Sequence, residues 1–244
     1  MALKLSVIVC AYNEERYLPA CLHSLLAQTR PPDELLVVNN ASTDQTAAVA
    51  AAIPGVRVVD EPRKGLVVAR EAGRAASTGD VLAYVDADCR APLTWLARLE
   101  RRFDRAPGLV AVTAPYRFYD WDRTGRALVR AYDVTLAPLT QLLVKHVLRL
   151  GSILYGGNFA VRRAALDRIG FDTSIEFHGE DTNLGRRLSA LGPVRICPEL
   201  FVYTSARRYV AMGKRAVFAL YVRNFVSEML RHRPVDEEHL DVRI

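Results

Sequence analysis

Two aspartates, Asp86 and Asp88, stand one residue apart where the apolar run in "VLAYVDAD" ends, and a second acidic pair, Glu180 and Asp181, opens "GEDTNLGRRLSALG". Carboxylates this close raise each other's pKa unless something neutralises them. A shared divalent cation would do so, because Mg²⁺ and ions like it are bound by one or two carboxylates together with substrate phosphates. A plainer reading of Asp86 and Asp88 has one capping the next segment and the other facing water. Glu180 and Asp181 also suit the ordinary place for acidic side chains, the first turn of a helix.

The elements that must position these groups are legible. Short apolar or β-branched runs alternate with amphipathic segments of helical length. "KLSVIVCA", "ELLVVNN", "VRVVDE" and "DVLAYVDAD" read as four strands. Between them, Leu18, Cys21, Leu22, Leu25 and Leu26 share one helix face, with Glu14 and Glu15 at its favourable end. Ser42 and Gln45 form a candidate capping box for a second helix, and "GLVVAREAGRAAS" is a third, stopped by Gly79. A βαβαβαβ order implies parallel strands joined by right-handed crossovers, with ligands beyond the strands' carboxyl ends. Tyr12, Asn13, Glu14, Asn39, Asn40, Asp60, Glu61, Asp86 and Asp88 all fall on that rim.

The first βα turn, "CAYNEER", has no glycine to admit a pyrophosphate, and GxxxxGK[ST] is absent, which disfavours dinucleotide-binding dehydrogenases and P-loop enzymes. Beyond residue 116 the pattern loosens. "ALVRAYDVTLAPLTQLLVKHVLRLGSILY" is apolar but broken by Asp133, Pro138, Lys145, His146 and Arg149, so it reads as a core helix pair or an interfacial element and not as a transmembrane helix. The tail "GKRAVFALYVRNFVSEMLRHRP" reads as a basic amphipathic helix that packs on its own domain or lies on an anionic bilayer.

With 244 residues, 50% apolar and 25% charged, the chain suits one large α/β domain. Four cysteines without CxxC spacing suggest neither zinc nor a disulfide framework and fit a reducing cytosol. "MALKLSVIVCAYNEE" carries no small-residue cleavage site, so the expectation is a mature chain starting at Met1. A net charge of +6 suggests an anionic partner: a nucleotide, a phospholipid surface or nucleic acid. Nucleic acid ranks low, because the basic residues are not interleaved with stacking aromatics.

In order along the chain, "VIVCAYNEERYLPACLHSL", "VVNNASTDQT", "RKGLVVAREAG", "GDVLAYVDAD", "GGNFAVRRAALDRIGFD" and "GEDTNLGRRLSALG" resemble the family 2 nucleotide-sugar glycosyltransferases of the GT-A fold, over roughly residues 4 to 210. The resemblance implies a Rossmann-like α/β fold with a mostly parallel central sheet flanked by helices. It implies inverting, metal-dependent transfer of a single hexose from a nucleoside-diphosphate sugar, UDP or dTDP favoured, to an acceptor hydroxyl, with Mn²⁺ or Mg²⁺ as cofactor. A lipid-linked or cell-envelope glycan is the expected acceptor. The expected location is the cytoplasm, with peripheral contact at the inner face of the membrane, and nucleic acid is not an expected partner. A single catalytic domain is expected over residues 1–210, with a nucleotide-binding half at 1–115 and an acceptor and catalytic half at 116–210, followed by the amphipathic helix and tail at 211–244.

By the same resemblance Ala11, Tyr12 and Glu14 approach the donor's base and ribose, Lys64 and Gly65 belong to a loop closing over the base, and Arg70 approaches the nucleotide. Asn40 falls where the family often has an aspartate; its carbonyl still accepts from a uracil or thymine N3–H. Asp86 would face the ribose and Asp88 the metal. Gly157, after Gly156, would admit the donor sugar and Asn158 would bond its hydroxyls. Glu180 would meet the donor, and Asp181 beside it would be the general base. Arg207 and Arg208 in "YTSARRY", after an apparent strand "ELFVY", would clamp the diphosphate or remain solvated, and the QxxRW motif of processive synthases is absent. Two other readings stay open: a non-catalytic nucleotide-sugar binding module and a sugar nucleotidyltransferase. The latter usually begins with a glycine- and arginine-rich first loop, which this chain lacks.

Overall fold

In the computed structural model, residues 3–144, 151–175 and 179–213 are described, together with Ala216, Val217, Ala219, Leu220, Arg223, Asn224 and Ser227. The expected amphipathic tail at 211–244, and Lys145, His146 and Arg149, lie largely or wholly outside these residues.

The first third of the chain alternates as its sequence predicts: β1 (Leu5–Ala11), α1 (Leu18–Leu26), β2 (Glu34–Asn40), α2 (Thr46–Ala51), β3 (Arg57–Glu61), α3 (Leu66–Ala76) and β4 (Val81–Asp86), followed by α4 (Trp95–Asp104). β1 to β4 are mutually parallel in the order β3-β2-β1-β4. The seven-stranded sheet continues through β7 (Asn158–Arg162), β5 (Ala111–Thr113) and β8 (Val194–Ile196), with β7 antiparallel to both β4 and β5. A small parallel pair joins β6 (Tyr116–Phe118) to β9 (Val202–Thr204). The helices α5 (Arg123–Val134), α6 (Leu136–Leu142), α7 (Arg163–Ile169), α8 (Glu180–Ser189) and α9 (Arg207–Met212) complete the described chain.

β1 is buried along nearly its whole length because both faces are covered. Leu5, Val7 and Val9 point to a core shared with Leu18, Leu22 and Leu25 of α1 and Trp95, Leu99 and Phe103 of α4. Ile8 points the other way, into a second core with Val67 of α3 and Leu184 and Leu188 of α8. The period-two alternation of one strand thus feeds two hydrophobic layers.

Two local expectations are corrected and a third is narrowed. The capping box does not form: Ser42 Oγ accepts instead from the Asn13 N–H, and α2 starts after Gln45 with no side-chain cap. "ELFVY" is not one strand, since Pro198–Leu200 forms a 3₁₀ turn before β9. Of the segment expected as a core helix pair or an interfacial element, the residues described up to Val144 carry α5 and α6, and most of their apolar side chains are outside the core, which excludes a core helix pair. Leu128, Val134, Leu136, Leu139 and Leu142 are 56–75% exposed. Arg123, Arg126 and Arg130 are exposed on α5 as well.

Candidate active site

The carboxyl ends of β1, β2 and β4 and the amino end of β7 meet at one place. β4 ends on Asp86, whose N–H donates to the Gly157 carbonyl at 3.2 Å, while the Gly157 N–H donates to the Tyr116 hydroxyl at 2.5 Å. A methyl group on Gly157 would stand 1.9 Å from Asp86 Oδ2, so the carboxylate lies flat against the glycine backbone. No other residue fits there.

Asp88 lies in the turn beyond β4 with only 11% of its side chain exposed. Its Oδ1 accepts from the Thr204 hydroxyl at 3.1 Å and its Oδ2 faces Arg207 Nε at 3.2 Å. Burial pushes the Asp88 carboxyl up to about 6; Arg207 opposes that shift, and the charges of Asp86 and Glu14 add to it. Arg207 also forks onto buried Glu14, at 3.0 and 2.5 Å, and lies 4.7 Å over the Tyr17 ring. In this arrangement a guanidinium supplies the positive charge that the acidic cluster requires. Arg208 follows half-buried on the first turn of α9.

These groups fit a divalent ion of the hard, oxygen-binding type. The donors are carboxylates, and Asp88 is a buried one whose carboxyl burial pushes up even with Arg207 beside it. Among the described residues no three His, Cys, Asp or Glu side chains converge to cage a metal. Such a site needs phosphate oxygens or water to complete the coordination, as Mg²⁺-type sites do.

Next to this cluster is a second group of sequence-predicted residues. Lys64 Nζ donates to the Tyr12 hydroxyl at 2.9 Å and sits 4.1 Å from its ring centroid. Asn40, 4% exposed, accepts from the Gly65 N–H at 2.8 Å and donates to the carbonyls of Glu61 and Arg63. Its amide therefore shapes the loop from 61 to 65. Gly65 holds φ at +151°, which favours glycine, and opens α3. Ala11 is buried at the end of β1, paired with Asn39.

Asp181 lies in the first turn of α8, half-buried, with Oδ1 accepting from the Thr182 N–H at 2.7 Å. Burial raises its carboxyl above the ordinary aspartate value, and the Thr182 N–H and Arg70 work against that rise. Glu180, 8% exposed, pairs with Arg70, which is 2% exposed. Arg70 also donates to the Gly156 carbonyl at 2.5 Å. A methyl on Gly156 would stand 2.9 Å from Glu180 Oε1 and 3.4 Å from Asp181 Oδ2, so the 156–157 loop touches the acidic pair of α8 on one side and Asp86 on the other.

Asn158 is the clear departure from expectation. It is 2% exposed, and its Nδ2 donates to the carbonyls of Ala114 at 3.1 Å and Leu200 at 2.9 Å. As a β7 residue facing the core, its amide group ties strands together and does not open toward a sugar. Several supporting residues escape sequence reading. Tyr116 and Thr204 sit on the irregular half and carry no motif, and Asp120, which accepts from Ser205 Oγ at 2.5 Å and the Ala206 N–H at 2.6 Å, orients the Arg207 turn. Only the aromatic, polar "PYRFYDWD" hints at them.

A sequence profile described as "Glycosyl transferase family 2" matches residues 6–170. The glucosyl-dolichyl phosphate glucuronosyltransferase of Haloferax volcanii is 28% identical over 76% of this chain, which spans 58% of that relative's length. An uncharacterized glycosyltransferase of Mycobacterium tuberculosis is 41% identical over 43% of this chain and 46% of its own. Among solved structures, mannosyltransferase PcManGT of Pyrobaculum calidifontis, in complex with GDP-Man and Mn²⁺, superposes with a TM-score of 0.71 at 22% identity, covering 94% of this chain and 63% of that one. Glucosyl-3-phosphoglycerate synthase of M. tuberculosis, in complex with Mn²⁺, UDP and phosphoglyceric acid, gives 0.66 at 23% identity, covering 93% and 78%. With the profile matching well over half its length and its sheet superposing on these enzymes, the chain belongs to glycosyl transferase family 2, with the GT-A fold.

Proposed function

We propose that the chain is an inverting, metal-dependent hexosyltransferase that moves one sugar from a UDP- or dTDP-sugar to an acceptor hydroxyl. One observation carries the reading. The 156–157 loop packs on Asp86 at one side and on Glu180 and Asp181 at the other, so a base and a donor-facing carboxylate flank the same few ångströms of backbone.

Asp181 takes the proton of the attacking hydroxyl, a step that contributes typically 10²–10⁴-fold in rate when the base is well placed. Its place at the helix N-terminus favours the ionised form that a base requires. Asp86 meets the ribose, and Tyr12, Lys64 and the loop shaped by Asn40 enclose the base. Asp88 would hold the cation, with Glu14 and Asp86 close by. Bound there, Mn²⁺ or Mg²⁺ supplies Lewis-acid stabilisation of charge on the departing diphosphate. Arg207 is placed to share that charge, since guanidinium suits phosphate oxygens. With no protein nucleophile in the path, a single in-line displacement inverts the anomeric carbon.

The Haloferax relative's name includes a dolichyl phosphate, which supports a lipid-linked acceptor here. Among the described residues no helix is long and apolar enough to cross a membrane. The exposed leucines and arginines of α5 and α6 favour peripheral contact with an anionic bilayer at its cytoplasmic face. Residues 1–210 then act as one domain.

The test is a thermal-shift screen of UDP-, dTDP- and GDP-sugars with and without Mn²⁺, followed by product analysis. A donor that binds the folded state raises its stability. Metal-dependent stabilisation by UDP or dTDP donors, with product formed on a polyprenyl-phosphate-linked sugar, is the expected result. Stabilisation without metal dependence, or none, overturns it.

A further inference from the structure

Arg70 is predicted from sequence to meet the donor nucleotide, yet it is among the largest fully buried side chains of the protein. It sits in the middle of α3 with its guanidinium 5.3 Å from the Phe159 ring. Its polar contacts run inward. It pairs with Glu180 on α8, and it donates to the Gly156 carbonyl in the loop before β7. The backbone of the same residue is also held, because the Tyr84 hydroxyl of β4 donates to the Arg70 carbonyl at 3.2 Å. One side chain thus joins α3, α8 and the glycine loop.

The joined parts carry the proposed chemistry. Glu180 is the residue before Asp181 in the first turn of α8, so a clamp on Glu180 sets where Asp181 begins. Gly156 precedes the glycine that Asp86 lies against. Without its cation, Glu180 would be a buried carboxylate whose other oxygen, Oε2, already lacks a hydrogen-bond partner. Removing one partner of a buried ion pair is strongly destabilising because the other charge is left uncompensated, and at Glu180 that cost falls on the first turn of α8.

We infer that Arg70 is a positioning residue: through Glu180 and the Gly156 carbonyl it holds Asp181 and the 156–157 loop in register across the donor, without touching the donor itself. This rests on the reading of Asp181 as the base.

The experiment compares Arg70→Met, Arg70→Lys and Glu180→Gln with the wild type. Equilibrium affinity for UDP with Mn²⁺, kcat, and hydrogen exchange of the amides at 156–157 and 180–182 are the readouts. Arg70→Met is expected to lower kcat about 10²-fold, the size of effect a roughly 1 Å misplacement produces, while UDP affinity is unchanged and exchange at both amide clusters accelerates. Arg70→Lys, which keeps a charge but not the fork, recovers part of kcat. Arg70→Met combined with Glu180→Gln loses no more than the more damaging single variant, because both act through one contact. A fall in UDP affinity with kcat retained would make Arg70 a donor contact and overturn the inference, as would additive effects of the two substitutions. Should Arg70→Met fail to fold, Arg70→Lys and Glu180→Gln carry the same comparison. If the wild type transfers no sugar, the proposed function falls and the exchange arm still decides the positioning role: unchanged exchange at 156–157 and 180–182 overturns it.

Discussion

Asp181 and Asp88 ask different things of their surroundings. A base, the role proposed for Asp181, must be ionised before it accepts a proton, and burial lifts the Asp181 carboxyl above the usual aspartate range. Transfer therefore rises with pH along a limb displaced upward from an ordinary carboxylate. Asp181→Asn is expected to remove that limb and lower kcat by 10²–10⁴-fold while UDP affinity holds; the pH profile of kcat checks this, and an unchanged acid limb in the variant would remove Asp181 from the role. Asp88 is proposed to hold a cation. Arg207 provides one in this structure through its contacts with Asp88 and Glu14. Arg207→Ala takes the neutralising guanidinium away from two largely buried carboxylates, so a loss of about 2 kcal/mol is expected. Denaturation with and without Mn²⁺ measures it, and added metal should restore part of the loss. A variant as stable as the wild type in chelator would show that the pair contributes nothing.

At the level of elements, the turn from Tyr155 into β7 is the most constrained. A methyl on Gly157 collides with the Asp86 carboxylate and the Tyr116 hydroxyl. Gly157→Ala should cost about 1–3 kcal/mol, the range for forcing extra volume into a packed site, and abolish donor binding by displacing Asp86. Gly108→Ala is the matched control, because nothing lies within 4 Å of the added methyl. Donor-dependent thermal shifts of the two variants separate the effects. α8 shows the same logic in helical form. Leu184 and Leu188 bury its inner face, and that burial, more than any cap, aims its first turn at the glycine loop.

At the scale of the molecule, the positive charge is not gathered at the carboxylate cluster. A cleft of about 330 Å³ on α4 and the edge strand β8 is lined by Arg98, Arg101, Arg102, Arg105 and Arg195. More arginines stand on α5 among the exposed leucines. Under the proposed bilayer contact, the protein co-sediments with vesicles containing anionic lipid, and Leu139→Asp weakens this without lowering the melting temperature, since exposed substitutions usually change stability by under about 0.5 kcal/mol. Equal binding to purely zwitterionic vesicles, or unaltered binding by the variant, would count against the contact.

Local pattern was enough for the parallel half of the fold. Strands β1, β2 and β4 are apolar runs with polar ends, and α1 repeats leucine at one face, so periodicity alone places Tyr12, Asn40, Asp86 and Asp88 on one rim. The motif order also brought Asp181 into consideration, although nothing in its spacing says that it faces Gly156. Tertiary structure decided the rest, because those facts depend on contacts between segments far apart in the chain. β7 runs antiparallel between β4 and β5 and thereby brings Gly157 against Asp86. The sheet's two-sided burial turns Arg70 inward to Glu180 and Asn158 toward backbone carbonyls. The meeting of Arg207 with Glu14 and Asp88 joins the start of α9 to the turns that follow β1 and β4. A residue's type states which bonds it is able to make; only the packed chain determines which partners lie within their few-ångström reach.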